Sequence, residues 1–282
     1  MVIGISGASG KLGRAVVAEL RSRSVDSRLV GISRTPQTLP SDVEARLGDY
    51  DKPETLESAY KGVERLLIIP SAELAPGVRG SQLRTAIDAA VKAGVGHIVL
   101  LSASGTREVP EASINSGYWI AEQHLIKTAP RWTILRMNYY AESMLEEVLA
   151  SVDQGVLAGL GEEHVAYVSR DDVAAAAAGA LLSDGHVGAI YNITGPAVVT
   201  GDERAAIASA FLGKPVSYAV IPEAQLRTGL TQAGLPGVVV EIMVEIKTAF
   251  VKGYFDIVTS DAQRLSGRLP RTLRDVFVSS RN

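Results

Sequence analysis

A glycine-rich turn between an apolar segment and a helical segment is the feature of this sequence that most limits its fold. Residues 2–6 (VIGIS) predict a buried strand, and residues 7–13 (GASGKLG) follow it directly and open an amphipathic helical pattern. Gly7 permits a tight turn, Gly10 lets the backbone approach a pyrophosphate, and Gly13 lets the helix pack closely on the strand. The segment therefore predicts a dinucleotide-binding loop with phosphates at the helix N-terminus.

Strand-like and helix-like segments alternate through the first half of the chain. Strands are predicted near residues 2–6, 28–33, 44–47, 65–69, 97–101 and 132–135. Helices are predicted near residues 12–23, 53–60, 80–93 and 118–127. Several of these strands are apolar on both faces, as strands buried between two helical layers are. We predict an α/β fold, a Rossmann-type doubly wound parallel sheet with a smaller C-terminal α/β lobe.

The end of the second predicted strand indicates which dinucleotide is bound. An acid there would hold the adenosine ribose diol, but residues 29–41 contain no Asp or Glu. Arg34 stands there instead, and its planar guanidinium matches a 2′-phosphate, with Ser33 and Lys11 assisting. NADP(H) is therefore the expected cofactor. The loop residues expected to contact it are Gly7, Ser9, Gly10, Lys11, Leu12 and Gly13.

The alternating pattern stops near residue 140. Residues 141–282 contain scattered predicted strands at 189–193 and 216–220 among several helices, and no further β-α-β series is predicted there. We therefore assign residues 1–140 to an NADP(H)-binding Rossmann domain and residues 141–282 mainly to a smaller, substrate-binding lobe.

Composition narrows the classes of function. The chain has 282 residues, a net charge of −3 and no cysteine. The absence of cysteine excludes thiolate nucleophiles. The slightly negative net charge provides no general positive field that would attract nucleic acid. Its four histidines lie in separate segments without metal-ligand spacing, so no metal site is expected. No apolar run is long enough to span a membrane, and strand-like residues begin the sequence without a basic leader. We expect a cytoplasmic protein.

Seven motifs along nearly the whole chain resemble those of one family. They are residues 5–13, 48–50 (GDY), 62–69 (GVERLLII), 93–98 (AGVGHI), 133–136 (TILR), 169–174 (SRDDVA) and 191–196 (YNITGP). The family is the NmrA-like atypical short-chain dehydrogenases, and within it the resemblance is to the bacterial NAD(P)H:quinone oxidoreductases and triphenylmethane reductases. The G-x-x-G-x-x-G spacing of the loop also points to the short-chain group.

The resemblance implies further site residues, each of which could instead be plain packing. Asp49 and Tyr50 would border the adenine. The segment after the fourth strand, Pro70, Ser71 and Ala72, would pass the nicotinamide ribose. A last group would line the nicotinamide and substrate pocket, where ligands bind at the carboxyl ends of parallel strands. Its members are Asn138, Tyr139 and Tyr140. Apart from the resemblance, Met144 is also predicted to face this substrate-binding cleft.

The catalytic residues of ordinary short-chain dehydrogenases are incomplete in this chain. Such enzymes pair a Ser or Thr after the fifth strand with Tyr-x-x-x-Lys on the next helix. Ser102 and Ser104 lie in the right region, and Ser102 is counted among the expected cofactor contacts. Tyr118 is the candidate catalytic residue, but Glu122 occupies the lysine position. Because residues four apart share a helix face, Glu122 is expected near Tyr118, where a carboxylate disfavours the phenolate.

The resemblance implies an NADPH-dependent oxidoreductase that transfers hydride to quinones or similar conjugated, electron-poor acceptors, which need little acid catalysis. One alternative is a non-catalytic NADP(H) sensor of the NmrA type, since Tyr118 could equally be a half-buried helical tyrosine. A second alternative is a nucleotide-sugar epimerase, although those enzymes normally need the missing lysine. The expected partner is a small-molecule acceptor, with neither nucleic acid nor membrane, and a homodimer is possible.

Overall fold

The computed structural model describes residues 1–23, 27–110, 113, 115–151 and 153–281. The strands are β1 Val2–Ser6, β2 Arg28–Ser33, β3 Glu44–Leu47, β4 Arg65–Ile68, β5 His97–Ala103, β6 Trp132–Met137, β7 Val156–Gly159, β8 His164–Val165, β9 Ala189–Ile193, β10 Val199–Thr200 and β11 Ser217–Val220. The helices are α1 Lys11–Ser22, α2 Pro53–Tyr60, α3 Val78–Lys92, α4 Ser116–Thr128, α5 Ala141–Ala150, α6 Arg170–Leu182, α7 Gly201–Leu212, α8 Glu223–Gln232, α9 Gly237–Val251, α10 Asp261–Ser266 and α11 Leu273–Ser279.

A parallel sheet with helices on both faces organises the chain. Within the described residues seven strands pair in the order β3-β2-β1-β4-β5-β6-β9, and all six pairings are parallel. Every residue of β5 is buried, as an inner strand between two helical layers requires. One apolar core joins the sheet to α1 and α6, and a second joins it to α2, α3 and α4. The predicted fold class is confirmed.

The last strand of the sheet comes from the second half of the chain. Strand β9 pairs with β6, with Leu135 opposite Tyr191, and α6 packs beside α1. Alanines 174–178 of α6 are fully buried or nearly so. Gly179 leaves no room for a side chain, since a Cβ there would lie 1.8 Å from the carbonyl oxygen of Leu265 in α10. One further β-α-β unit is therefore present, formed by β6, which ends before residue 140, by α6 and by β9, the strand predicted at residues 189–193.

A second group of elements packs beyond the carboxyl end of β6. Helices α5, α7, α9 and α11 share an apolar core, and β7–β11 and β8–β10 form two short ladders. Phe250 and Phe255 meet edge to face in this core at 5.3 Å. The division of the chain at residue 140 stays a prediction. None of the helices among the described residues is long and apolar enough to cross a membrane.

Candidate functional site

A cleft of about 580 Å³ opens at the carboxyl ends of β1, β2 and β4. Parallel sheets place ligands at this edge because the loops and helix N-termini converge there. We call it the strand-end cleft. The predicted site residues that line it are Gly7, Ser9, Gly10, Lys11, Leu12, Gly13, Ser33, Arg34, Asp49, Tyr50, Pro70, Ser71, Ala72, Tyr118 and Tyr140.

The glycine loop forms one wall of the strand-end cleft. Gly7 has a φ of +91°, which side-chain-bearing residues rarely adopt. A Cβ on Gly13 would lie 2.2 Å from the carbonyl oxygen of Gly7, so only glycine permits this packing. Gly10 caps α1 without a side-chain hydrogen bond, which leaves the first-turn amides to a ligand. The loop therefore has the close backbone approach and the free helix N-terminus that a pyrophosphate needs.

The end of β2 forms the adjacent wall. The Ser33 hydroxyl donates to Ser9 Oγ at 2.6 Å and accepts from the Thr35 amide at 3.0 Å, which ties this strand end to the glycine loop. Arg34 lines the cleft and is exposed. No hydrogen bond or ion pair joins its guanidinium to the residues that the structure describes. Lys11 lies at the rim, in an exposed ion pair with Glu146 at 3.4 Å.

A polar network crosses the cleft between the loops after β3 and β4. The Tyr50 hydroxyl donates to the carbonyl oxygen of Ile69 at 2.9 Å. Gln82 of α3 donates to Asp51 Oδ1 at 2.8 Å and accepts from the Ser71 hydroxyl. Asp51 and Gln82 were not predicted as site residues, because nothing local in the sequence indicates that the first turns of α3 reach this edge of the sheet.

Two tyrosines and two arginines lie at the far end of the cleft. The guanidinium of Arg79 lies 5.2 Å from the ring centre of Tyr118, and that of Arg170 lies 5.3 Å from the ring centre of Tyr140. Burial raises the pKa of the Tyr140 hydroxyl, which stays protonated at neutral pH. Neither arginine was predicted. For Arg170 a signal existed, since the capping pattern at Ser169 starts a helix there.

Four of the predicted residues do not line the strand-end cleft. Met144 is 0% exposed in the core of the second group of elements, so the prediction that it faces the cleft was wrong. Asn138 is buried and donates to the carbonyl oxygen of Phe255 at 3.0 Å. Tyr139 packs against Phe250 and lines a different cavity. Ser102 is fully buried beneath the cleft.

Glu122 is bound to residues other than Tyr118. Its side chain, in a residue that is 0% exposed, accepts hydrogen bonds from Ser102 Oγ at 2.6 Å and from Arg136 Nε at 2.9 Å. Arg136 Nη2 completes a bidentate ion pair at 2.5 Å. No hydrogen bond joins Glu122 to Tyr118 among the described residues, because the arginine and the serine satisfy the carboxylate inside the sheet layer. Among the described residues no group of three His, Cys, Asp or Glu could hold a metal.

Comparison with known proteins adds to this geometry. Residues 7–184 match the family described as NAD(P)H-binding. Quinone oxidoreductase 2 of Escherichia coli strain K12 is 32% identical over 97% of this chain and 96% of its own length. A crystal structure of the Escherichia coli NADPH-dependent quinone oxidoreductase complexed with NADPH superposes with a TM-score of 0.92, at 31% identity, over 99% of this chain and 100% of that chain. Citrobacter sp. triphenylmethane reductase complexed with NADP(H) gives a TM-score of 0.87 at 29% identity, over 99% of both chains.

Proposed function

Since the chain belongs to the NAD(P)H-binding family, we propose that it is an NADPH-dependent oxidoreductase that reduces quinones or similar conjugated, electron-poor acceptors. The observation that carries the proposal is the strand-end cleft, which brings the glycine loop, Arg34, Tyr118 and Tyr140 into one site. The relatives support the acceptor class, since they are named for quinones and for triphenylmethanes.

The residues of the cleft fit NADPH from end to end. The amides of the glycine loop and α1 would hold the pyrophosphate, and Arg34 with Ser33 would hold the 2′-phosphate. Asp49 and Tyr50 would border the adenine. Pro70, Ser71 and Ala72 would guide the nicotinamide ribose toward Tyr118 and Tyr140. Arg34 has no described acidic partner to give up, so binding the phosphate costs it no existing ion pair.

The protein groups around the reaction centre favour acceptors that need little acid catalysis. When bound, NADPH supplies a hydride. The lysine of the short-chain pattern is absent, because the residue four places after Tyr118 is Glu122, whose carboxylate is paired with Arg136. A quinone suits such a site because its reduced oxyanion is stabilised by the aromatic ring and takes a proton from water.

Three finer assignments stay proposals. Quinone-like compounds are the proposed acceptors within the broader class of small molecules. We also propose a cytoplasmic location, where NADPH is available as a reductant, and a homodimer, which sedimentation of the purified protein would test.

Steady-state oxidation of NADPH and of NADH with a panel of quinones tests the function. Turnover with NADPH, at a much higher kcat/KM than with NADH, is the expected result. Gly13→Val is the matched inactive control, since a side chain there collides with the loop. A protein that binds NADPH tightly yet turns over no acceptor would instead be a dinucleotide sensor.

A further inference from the structure

Arg79 is a buried cation between two cavities. It lies in the first turn of α3 and is 8% exposed. It lines the strand-end cleft, and it also lines a second cavity of about 630 Å³ between α3 and α9. We call the latter the α3–α9 cavity. Arg79 therefore stands where a molecule in the α3–α9 cavity would meet the reacting end of a dinucleotide in the cleft.

The guanidinium of Arg79 is poorly satisfied within the described residues. Its Nη2 donates to the carbonyl oxygen of Glu73 at 2.9 Å, while its buried Nε has no hydrogen-bond partner. The Glu73 carboxylate faces elsewhere, accepting from the amides of Leu74 and Ala75 at 2.8 and 2.9 Å. No described carboxylate forms an ion pair with Arg79. A buried guanidinium without an anionic partner costs folding free energy unless a ligand supplies the missing hydrogen bonds or charge.

The α3–α9 cavity has walls that fit an aromatic ring. Ile242 and Val244 of α9 provide apolar surface, and Tyr254 adds a ring on which the Arg107 guanidinium lies at 3.7 Å from the ring centre. Charged side chains, among them Glu241 and Lys252, also line the cavity. Ligand sites commonly combine an apolar lining with a few polar groups that fix orientation. Here Arg79 is the polar group shared with the strand-end cleft.

We propose that the α3–α9 cavity is the acceptor site and that Arg79 binds the acceptor oxygen on which negative charge develops. The proposal rests on the proposed reductase function. In the reaction a quinone accepts a hydride, one proton with two electrons, while NADPH is oxidised to NADP⁺. The C–H bond that carries the hydride in the dihydronicotinamide breaks, and one quinone oxygen forms the new bond to that hydrogen, so that the quinone becomes the hydroquinone monoanion. Its charged oxygen would lie against the Arg79 guanidinium, and a proton from water then gives the hydroquinone.

The role of Arg79 depends on the charge of the acceptor. A neutral quinone becomes an anion, so a fixed cation stabilises the transition state more than the ground state. A triarylmethyl cation accepts the same hydride at its central carbon and becomes neutral. No anion forms in that reaction, and a nearby arginine repels the reactant. A comparison of the two acceptors therefore distinguishes an electrostatic role of Arg79, which would affect only the quinone reaction, from a packing role, which would affect both reactions.

The test compares Arg79→Gln with wild type in single-turnover oxidation of bound NADPH. With a neutral quinone the rate should fall about 10²-fold, the usual cost of one donor to a developing oxyanion. With a cationic triarylmethane dye the rate should stay within about twofold or rise, and the Kd for NADPH should change by less than about threefold. Arg84→Gln, an exposed arginine on the same helix, is the matched control.

Several outcomes would overturn the assignment. Equal slowing with both acceptors would mean that Arg79 only packs the site. Weaker NADPH binding with an unchanged quinone rate would make it a cofactor ligand. Absence of wild-type turnover with every acceptor would instead refute the proposed function.

A binding measurement that needs neither turnover nor a folded variant decides the anion preference separately. The wild-type complex with NADP⁺ should bind 4-nitrophenolate at least about tenfold more tightly than neutral nitrobenzene, as a charge-assisted contact predicts. Equal affinity for the two probes would refute a site for an oxyanion.

Discussion

Arg136 holds Glu122 through two hydrogen bonds, from Nε to Oε1 at 2.9 Å and from Nη2 to Oε2 at 2.5 Å. The pair joins β6 to α4 in the sheet layer, and the Ser102 hydroxyl adds a third contact to the carboxylate. Glu122, at the lysine position of the short-chain pattern, therefore forms a structural contact between helix α4 and strand β6. We expect any substitution of Glu122 to change the free energy of unfolding before it changes catalysis.

Glu122→Lys should destabilise the protein instead of activating Tyr118, because it places a second cation beside Arg136 at a position where the Glu122 side chain is 1% exposed. We expect a loss of about 3 kcal/mol or more in the free energy of unfolding, measured with urea. The double variant Glu122→Met with Arg136→Met should regain much of this, since no unpaired charge remains. A Glu122→Lys protein as stable as wild type would contradict the structural role of the pair.

Arg34→Asp should reverse the preference between cofactors. The variant loses a charge-assisted contact to the 2′-phosphate and adds repulsion, so NADPH affinity should fall by roughly 1.5–3 kcal/mol while NADH affinity holds or rises. Fluorescence titration with both cofactors measures this, with Arg84→Gln as the surface control. If wild type binds NADPH and NADH equally well, Arg34 is not the phosphate ligand.

Tyr118→Phe should leave quinone reduction within about tenfold of wild type, a loss of no more than ~1.4 kcal/mol in transition-state stabilisation. The phenyl ring keeps the contact with Arg79, and the acceptor can take its proton from water. Turnover at saturating NADPH is the measurement, with cofactor affinity checked separately. A fall of about 10²–10⁴ with intact binding would identify the tyrosine as an essential proton donor.

His97 should make the protein less stable in mild acid. Burial lowers its pKa from the ordinary 6.5 to about 4, and the charges of Arg65 and Arg131 act in the same direction. The residue is 4% exposed and shares a hydrogen bond with the Thr133 hydroxyl at 2.9 Å. Between these two pKa values the unfolded chain binds the proton and the folded chain does not, so stability falls as the pH drops through this window.

The matched variant for this effect is His97→Gln, which retains a polar group for Thr133. From about pH 7 to about pH 4.5, wild type should lose roughly 2 kcal/mol more unfolding free energy than the variant. Urea unfolding at several pH values measures the difference. Parallel curves for the two proteins would show that His97 is protonated in the folded state at its ordinary pKa.

The elements of the first half were predictable because their signals are local. The six strands predicted there lie within two residues of the observed bounds. The glycine loop was predictable for the same reason, since Gly7 and Gly13 meet backbone requirements set by immediate neighbours. Apolar runs on both faces of a strand likewise depend only on adjacent residues.

The unpredicted parts of the site depend on which elements the topology brings together. Arg79 and Gln82 line the strand-end cleft because α3 begins at the same edge of the sheet as the glycine loop. Glu122 forms its ion pair with Arg136 of strand β6. The helical spacing between Tyr118 and Glu122 gives no indication of a partner on a strand. Tyr139 and Tyr140 are adjacent in sequence yet face different cavities, and no local pattern specified which of them lines the cleft.

The position of β9 also affects how the protein matures on the ribosome. A nascent chain that has just completed β6 presents an open strand edge and an α1 surface that α6 has not yet covered. Both stay exposed until the chain up to Ile193 has emerged, because α6 and β9 follow the segment that builds α5, β7 and β8. Synthesis from the N-terminus therefore cannot complete the seven-stranded sheet before Ile193 has been added, and the exposed strand edge makes this interval the one most prone to aggregation.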